Sequence, residues 1–250
     1  MVEGASKKAI STEDVEYGVT YKMKGFLAWD PAIEGKRPAV LVVHEVYGQG
    51  EYVRNRAIQL AEMGYLGFAI DMFGEGKTTC DIMEGRTFIE ESTKVFDTAI
   101  TRFTEAVDYI KKHEKCDANR VAAIGYCYGG MIVLNMARAG VDINAVASFH
   151  GSLASKTPAE KGKFKGKVLV CNGEADTSVT KEHIEAFKKE FEEAGIDYKF
   201  VNYPEATHGW TNPQTTERAK KSGRPLFYHE KADKESWAEL TTFLEGVFTA

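Results

Sequence analysis

The chain has 250 residues, is 43% hydrophobic and 28% charged, and carries a net charge of −5. That is enough apolar material for one large core, and the acidic balance excludes the basic surface that nucleic acid or an anionic membrane requires. No apolar run reaches the ~20 residues of a membrane helix. The start, MVEGASKKAISTEDVEYG, is polar and lacks the apolar core of a signal peptide. This points to the cytoplasm; a leader removed beforehand would leave the same trace. The cysteines at 80, 116, 127 and 171 have no metal-type spacing and read as free thiols in a reducing compartment.

In chain order, alternation predicts strands over residues 15–23 and 26–29 with Lys24-Gly25 as a hairpin turn. An unbroken apolar run, 39–43, predicts a strand covered on both faces. Helical spacing follows over 51–63, with Gly64 as its C-terminal stop, then a buried strand at 65–70 ending at Asp71. A glycine-containing loop spans 72 to about 86. Phe96, Ile100, Phe103, Val107 and Ile110 share one face of a single helix predicted over 88–113. After a strand at 121–124 and a helix over 131–139 come strands at 145–149 and 168–171. An amphipathic helix over 180–194 is closed by Gly195, and a strand at 198–203 and a helix over 234–248 complete the chain. The segment 204–236 reads as a long polar loop, of the kind that covers a site. Strands alternating with helices predict an α/β fold: a mostly parallel sheet with helices on both faces, in one domain over residues 1–250.

The strand–helix junction Gly125-Tyr126-Cys127-Tyr128-Gly129-Gly130 has a nucleophile at the tip of a tight turn, flanked by glycines at i−2 and i+2. Residues without side chains let strand and helix approach closely there. This is the G-x-S-x-G elbow with cysteine in place of serine. The helix N-terminus that follows favours a thiolate. Ligands bind at the C-terminal ends of such sheets, and the polar residues expected there are His44, Glu45, Asp71, Cys127, His150, Asp176 and His208. The order Cys127, Asp176, His208 is that of the α/β-hydrolases. A histidine takes the thiol proton and later protonates the leaving group, and a carboxylate fixes its tautomer. Separately, Asp176 also reads as a turn residue and His208 as an ordinary loop histidine. Glu45 ends a buried strand, where desolvation raises a carboxyl pKa and suits it to accept a proton; a salt bridge to Arg54 or Arg56 is the other reading. His44 is expected to orient its loop. His150 is expected to line the pocket or to pack beside it.

The cysteine elbow, the Val43-His44-Glu45 stretch with Gly48, residues 57–71, Asp176 after Gly173, and His208 together resemble the dienelactone hydrolase family, from about residue 39 to the last helix. The resemblance implies a hydrolase of esters or lactones with a Cys127–His208–Asp176 triad. It implies that Glu45 holds the resting thiol and then accepts its proton, and that the backbone N–H groups of Val46 and Tyr128 bind the oxyanion. It implies no metal and no organic cofactor. Where the family has an arginine shortly after the histidine, to read a substrate carboxylate, this chain has Asn212. Arg86 stands near a second family arginine, and Trp210 is expected at the pocket wall. Without that arginine a substrate carboxylate loses hydration uncompensated, so uncharged esters or lactones are the expected substrates unless Arg86, Arg218 or Arg224 supplies the cation. The partners expected are thus a small-molecule ester or lactone, no nucleic acid and no membrane, in a monomer or homodimer. A thioesterase or acyltransferase with the same residues, and a non-catalytic thiol-bearing module, are the alternatives.

Overall fold

The computed structural model describes residues 9–249; the expectation for the first eight residues, that they carry no signal-peptide core, lies outside the described residues. In chain order the elements are β1 (Ser11–Tyr17), β2 (Met23–Trp29), β3 (Arg37–Val43), α1 (Glu51–Glu62), β4 (Leu66–Ile70), α2 (Ile82–Thr93), α3 (Phe96–Lys111), β5 (Cys116–Tyr126), α4 (Tyr128–Ala139), β6 (Ala145–Phe149), β7 (Lys167–Gly173), α5 (Lys181–Glu193), β8 (Asp197–Tyr203), α6 (Thr215–Ser222) and α7 (Glu230–Phe248). The strands form one eight-stranded sheet in the order β1-β2-β4-β3-β5-β6-β7-β8. The six strands from β4 to β8 pair in parallel, while β1 and β2 are antiparallel. No helix among the described residues is long and apolar enough to cross a membrane.

The buried strands alternate in which face they feed. Leu41, Val43, Phe68, Ile70 and Ala123 pack with Phe103 and Ile110 of α3 and Ile132 of α4. Val40, Val42, Ala69, Ala122 and Ile124 pack on the opposite face with Leu60 of α1 and Leu240 and Leu244 of α7. Helices on both faces are what unbroken apolar strands demand. The register aligns the strand ends: Val43 lies beside Gly125, Tyr126 beside Phe149, Phe149 beside Cys171 and Gly173 beside Tyr203. The loops after β3, β5, β6, β7 and β8 therefore leave from one edge of the sheet.

Three local expectations differ from the structure. The first turn lies not at Lys24-Gly25 but between Tyr17 and Met23, where Gly18 takes φ +96. Gly25 sits inside β2 because a Cβ there would meet the Phe68 ring at 2.4 Å. The helix expected over 88–113 is two, broken at Lys94-Val95, where Val95 is extended (φ −116, ψ 107). Just before the break, the Ser92 and Thr93 hydroxyls donate to Ile89 O, competition from the side chain that weakens a helix. Finally, the 204–236 segment is not all loop: it contains α6, and α7 starts early because His229 Nδ1 caps it by accepting from Ala232 N–H.

Main chain packs against main chain at the β5–α4 junction. A Cβ on Gly125 would stand 2.1 Å from Gly129 O, and one on Gly129 would stand 2.3 Å from Val43 O. Gly129→Ala is therefore expected to destabilise the protein by about 1–3 kcal/mol through overpacking. Gly246→Ala, in α7 with open space around it, is expected to stabilise by about 0.5–1 kcal/mol through helix propensity. Urea unfolding midpoints of the two variants should move in opposite directions.

Candidate active site

The elbow places Cys127 at φ +55, ψ −112, a conformation that L-residues rarely hold. Hydrogen bonds from both sides secure it. The Cys127 N–H is shared between Phe149 O and His150 Nδ1, each at 3.0 Å. The Gly129 N–H donates to His44 O at 3.0 Å, tying the first turn of α4 to the loop after β3. Cys127 is half-buried, at the N-terminus of α4. Cys116 and Cys171 are buried, and burial pushes their thiols up to about 11 and about 12; Cys80 is exposed in the loop before α2.

Two loops bring the other groups to the sulfur. His208 Nε2 lies 3.1 Å from Cys127 Sγ, and His208 Nδ1 donates to Asp176 Oδ2 at 2.8 Å. The Asp176 side chain is almost wholly buried and also accepts from Ser178 N–H at 2.9 Å. Asp176 does not cap the helix that follows; Thr180 does, by accepting from His183 N–H. Burial alone would favour neutral His208, but the neighbouring Cys127 sulfur and the Asp176 carboxylate outweigh it and hold the imidazole well above its ordinary pKa. Burial would likewise raise Asp176, but the hydrogen bond from His208 wins and holds it below the usual carboxylate range. At that distance a proton can pass between the Cys127 sulfur and the His208 ring.

Glu45 is buried, and burial pushes its carboxyl above the usual range, although Asn212 and the charges of Arg218, His208 and Arg56 pull the other way. Its partner is Asn212, whose Nδ2 donates to Glu45 Oε2 at 2.6 Å. The amide is oriented because Asn212 Oδ1 accepts from Gln214 N–H. The salt bridges weighed for Glu45 go elsewhere: Arg54 pairs with Asp14, and Arg56 pairs with Asp233. His44 orients its loop as expected. Its Nδ1 donates to Glu45 O at 2.7 Å, and its Nε2 accepts from Met72 N–H at 3.1 Å. The Asp71 carboxylate is spent on the N–H groups of Lys24, Phe73, Gly74 and Gly76.

Among the residues weighed for substrate binding, His150 packs beside the Cys127 group, as one of its two readings had it. Trp210 is fully buried rather than at a pocket wall, with its ring tilted over Tyr203 and edge-on to His150. His150 is only 1% exposed. One of its ring nitrogens faces the Cys127 amide and the other Thr211, so it offers substrate neither. Arg86 is exposed on α2, with its guanidinium 3.9 Å from Met83 Sδ. Among the described residues no hydrogen bond or ion pair joins it to the Cys127 group. Sequence reasoning left out two residues that the structure brings here, Thr211 and Tyr47. The Arg218 guanidinium lies 3.8 Å over the Tyr47 ring; no sequence pattern links an exposed helix to that loop.

A mostly parallel sheet with a tight, strained turn between its central strand and the following helix has the architecture of an α/β-hydrolase. The dienelactone hydrolase family model matches residues 23–248, and the chain belongs to that family; it is a carboxylic ester hydrolase. A Salmonella typhimurium protein provisionally named carboxymethylenebutenolidase is 26% identical over 227 residues, covering 87% of this chain and 80% of the relative. The crystal structure of a dienelactone hydrolase-like promiscuous phosphotriesterase from metagenomic libraries superposes with a TM-score of 0.89 at 29% identity, covering 96% of this chain and 99% of the other. A dienelactone hydrolase from Anabaena variabilis, 21% identical, shares the fold with a TM-score of 0.61 over 85% of this chain and 95% of the other.

The buried histidines set a pH dependence of stability. Burial holds His44 and His150 below the ordinary histidine pKa. They stay neutral when folded and gain protons on unfolding, so their contribution is present above about pH 6.5 and is lost as pH falls below it. His208, raised in the fold, works the other way: it is protonated when folded and gains its proton in the unfolded chain as pH falls through about 6.5, so it offsets part of the slope near that pH and little of it further down. Stability should therefore drop between about pH 6.5 and 5, by up to roughly 1.4 kcal/mol per pH unit for each of the two histidines. Urea unfolding across that range measures it, and a flat profile would refute the neutral assignment.

Proposed function

We propose that the protein hydrolyses carboxylic esters or lactones through an acyl-cysteine intermediate, with Cys127 as nucleophile, His208 as the proton carrier and Asp176 as its orienting carboxylate. The observation that carries this reading is the continuous contact from Asp176 Oδ2 through the His208 ring to Cys127 Sγ, at 2.8 and 3.1 Å. The thiolate attacks the carbonyl carbon, and the C–O bond to the leaving oxygen breaks as imidazolium gives it a proton. His208 then takes a proton from water, the water oxygen displaces sulfur, and the acid leaves. In a lactone the leaving alcohol stays attached to the acyl chain.

The oxyanion is assigned to the N–H groups of Val46 and Tyr128. The Gly129–His44 hydrogen bond supports this by holding their two segments together, and the N–H of Cys127 is already engaged. Glu45 is assigned to thiol activation. Its raised carboxyl supports that role, while its hydrogen bond goes to Asn212 and none among the described residues goes to Cys127.

Cys127→Ala should abolish turnover of an aryl acetate, by about 10⁴-fold or more, without changing the unfolding midpoint. Steady turnover by the wild type supports a hydrolase; a single stoichiometric burst would indicate a dead-end acyl acceptor, and no release a binding module.

For substrate charge, Asn212 gives the site a neutral donor, and Arg218 offsets the charge of Glu45. A neutral aryl ester is therefore expected to have a higher kcat/KM than a carboxylate-bearing lactone. Arg218→Ala should widen that gap about tenfold, the order of one lost charge-assisted contact. A preference for the acid that collapses in Arg218→Ala would reverse the assignment.

A further inference from the structure

The Cys127 elbow and the His208 loop are joined beneath the reacting atoms by a chain of buried polar groups. His150 stands at its centre, 1% exposed, with φ +42 at the end of β6. Its own N–H is anchored on Cys171 O at 3.0 Å. Because Nδ1 accepts from the Cys127 amide, the neutral ring carries its proton on Nε2, which donates to Thr211 Oγ1 at 2.8 Å. That oxygen also accepts from Tyr52 O–H at 2.7 Å, and Arg56 Nε donates to the Tyr52 oxygen. The Thr211 carbonyl accepts from Arg56 Nη2 at 3.0 Å, and the same guanidinium pairs with Asp233 of α7. Every link has a donor facing an acceptor, as a buried network needs if it is to rigidify its surroundings.

The two ends of this chain are significant. One is the main chain of the proposed nucleophile. The other is Thr211, three residues after the proposed proton carrier. The His150 ring also lies edge-on to His208, with centroids 5.2 Å apart. We propose that His150 and Thr211 are positioning residues that hold the elbow and the histidine loop in register, so that His208 Nε2 stays within reach of Cys127 Sγ. This rests on the triad reading, and its test is separable: Cys127→Ala decides the nucleophile, and the variants below decide the strut.

Thr211→Val keeps the shape and removes the hydroxyl; Thr211→Ser keeps the hydroxyl. With an aryl ester, Thr211→Val is expected to lower kcat about 10- to 100-fold, the loss that follows a displacement of about 1 Å between reacting groups. KM should stay within about twofold, because ground-state binding is untouched. Thr211→Ser should restore kcat to within about threefold of wild type, since the hydroxyl link is back. His150→Asn offers an acceptor for the Cys127 amide but is too short to reach Thr211, so it should fall with Thr211→Val. The double variant should lose little more than either single, because both break one link. Thr211→Val at wild-type kcat, equal losses in Val and Ser, a change confined to KM, or fully additive losses would each overturn the proposal. If Thr211→Val does not fold, His150→Asn with its kcat against KM decides alone.

Discussion

The structure depends on one backbone constraint, the left-handed turn at Cys127. An L-residue holds φ +55 only where its surroundings over-determine it, and here they do so through absence of bulk. Gly125, Gly129 and Gly130 bring β5, α4 and the loops after β3 and β6 so close that a methyl at any of them would collide with main chain. The same closeness points the first turn of α4 at the sulfur and lets Gly129 N–H reach His44 O. The strain is thus held by packing in the most buried part of the sheet, where six parallel strands with helices on both faces are least able to relax.

The electrostatics around that turn divide labour between ionised and neutral groups. His208 is held toward its charged form by the sulfur and carboxylate it touches, while at His150 and His44 burial outweighs the pull of Asp176 and Asp71 and holds the rings below the ordinary histidine pKa. Three histidines beyond the C-terminal ends of β3, β6 and β8 thereby have different chemistry: one can carry a proton, and two serve as fixed donor–acceptor struts. Glu45 differs from Asp176 for the same reason. Asp176 has a partner that favours the charge, whereas Glu45 meets an amide and remains dominated by desolvation.

Membership of the dienelactone hydrolase family and the α/β-hydrolase sheet fix the reaction class, and departures within the site bear on what is accepted there. Asn212 is committed to Glu45 and to its own turn. Arg218, whose charge acts on Glu45, comes from α6 and stacks on Tyr47. Around Glu45 the segment that carries His208 acts through Asn212 and His208, and α6 adds the charge of Arg218.

The sequence by itself determined the parallel sheet, the position of each buried strand, the cysteine elbow and the chain order of Cys127, Asp176 and His208, because these follow from local composition: apolar runs, glycines at fixed offsets and polar residues just past strand ends. It could not place the first hairpin turn. Gly25 looks like a turn residue, and only the Phe68 ring packed over it explains why it lies in a strand. The break between α2 and α3 escaped periodicity because both helices share one apolar phase. Trp210, expected at a pocket wall, is fully buried, and His150 takes the packing position that was one of its two readings. Tertiary structure alone decided that Asn212 is the partner of Glu45, that Arg56 belongs to Asp233, and that Thr211 meets His150. Those partners are far apart in the chain, and hydrogen-bond geometry is fixed only when the loops close over the sheet.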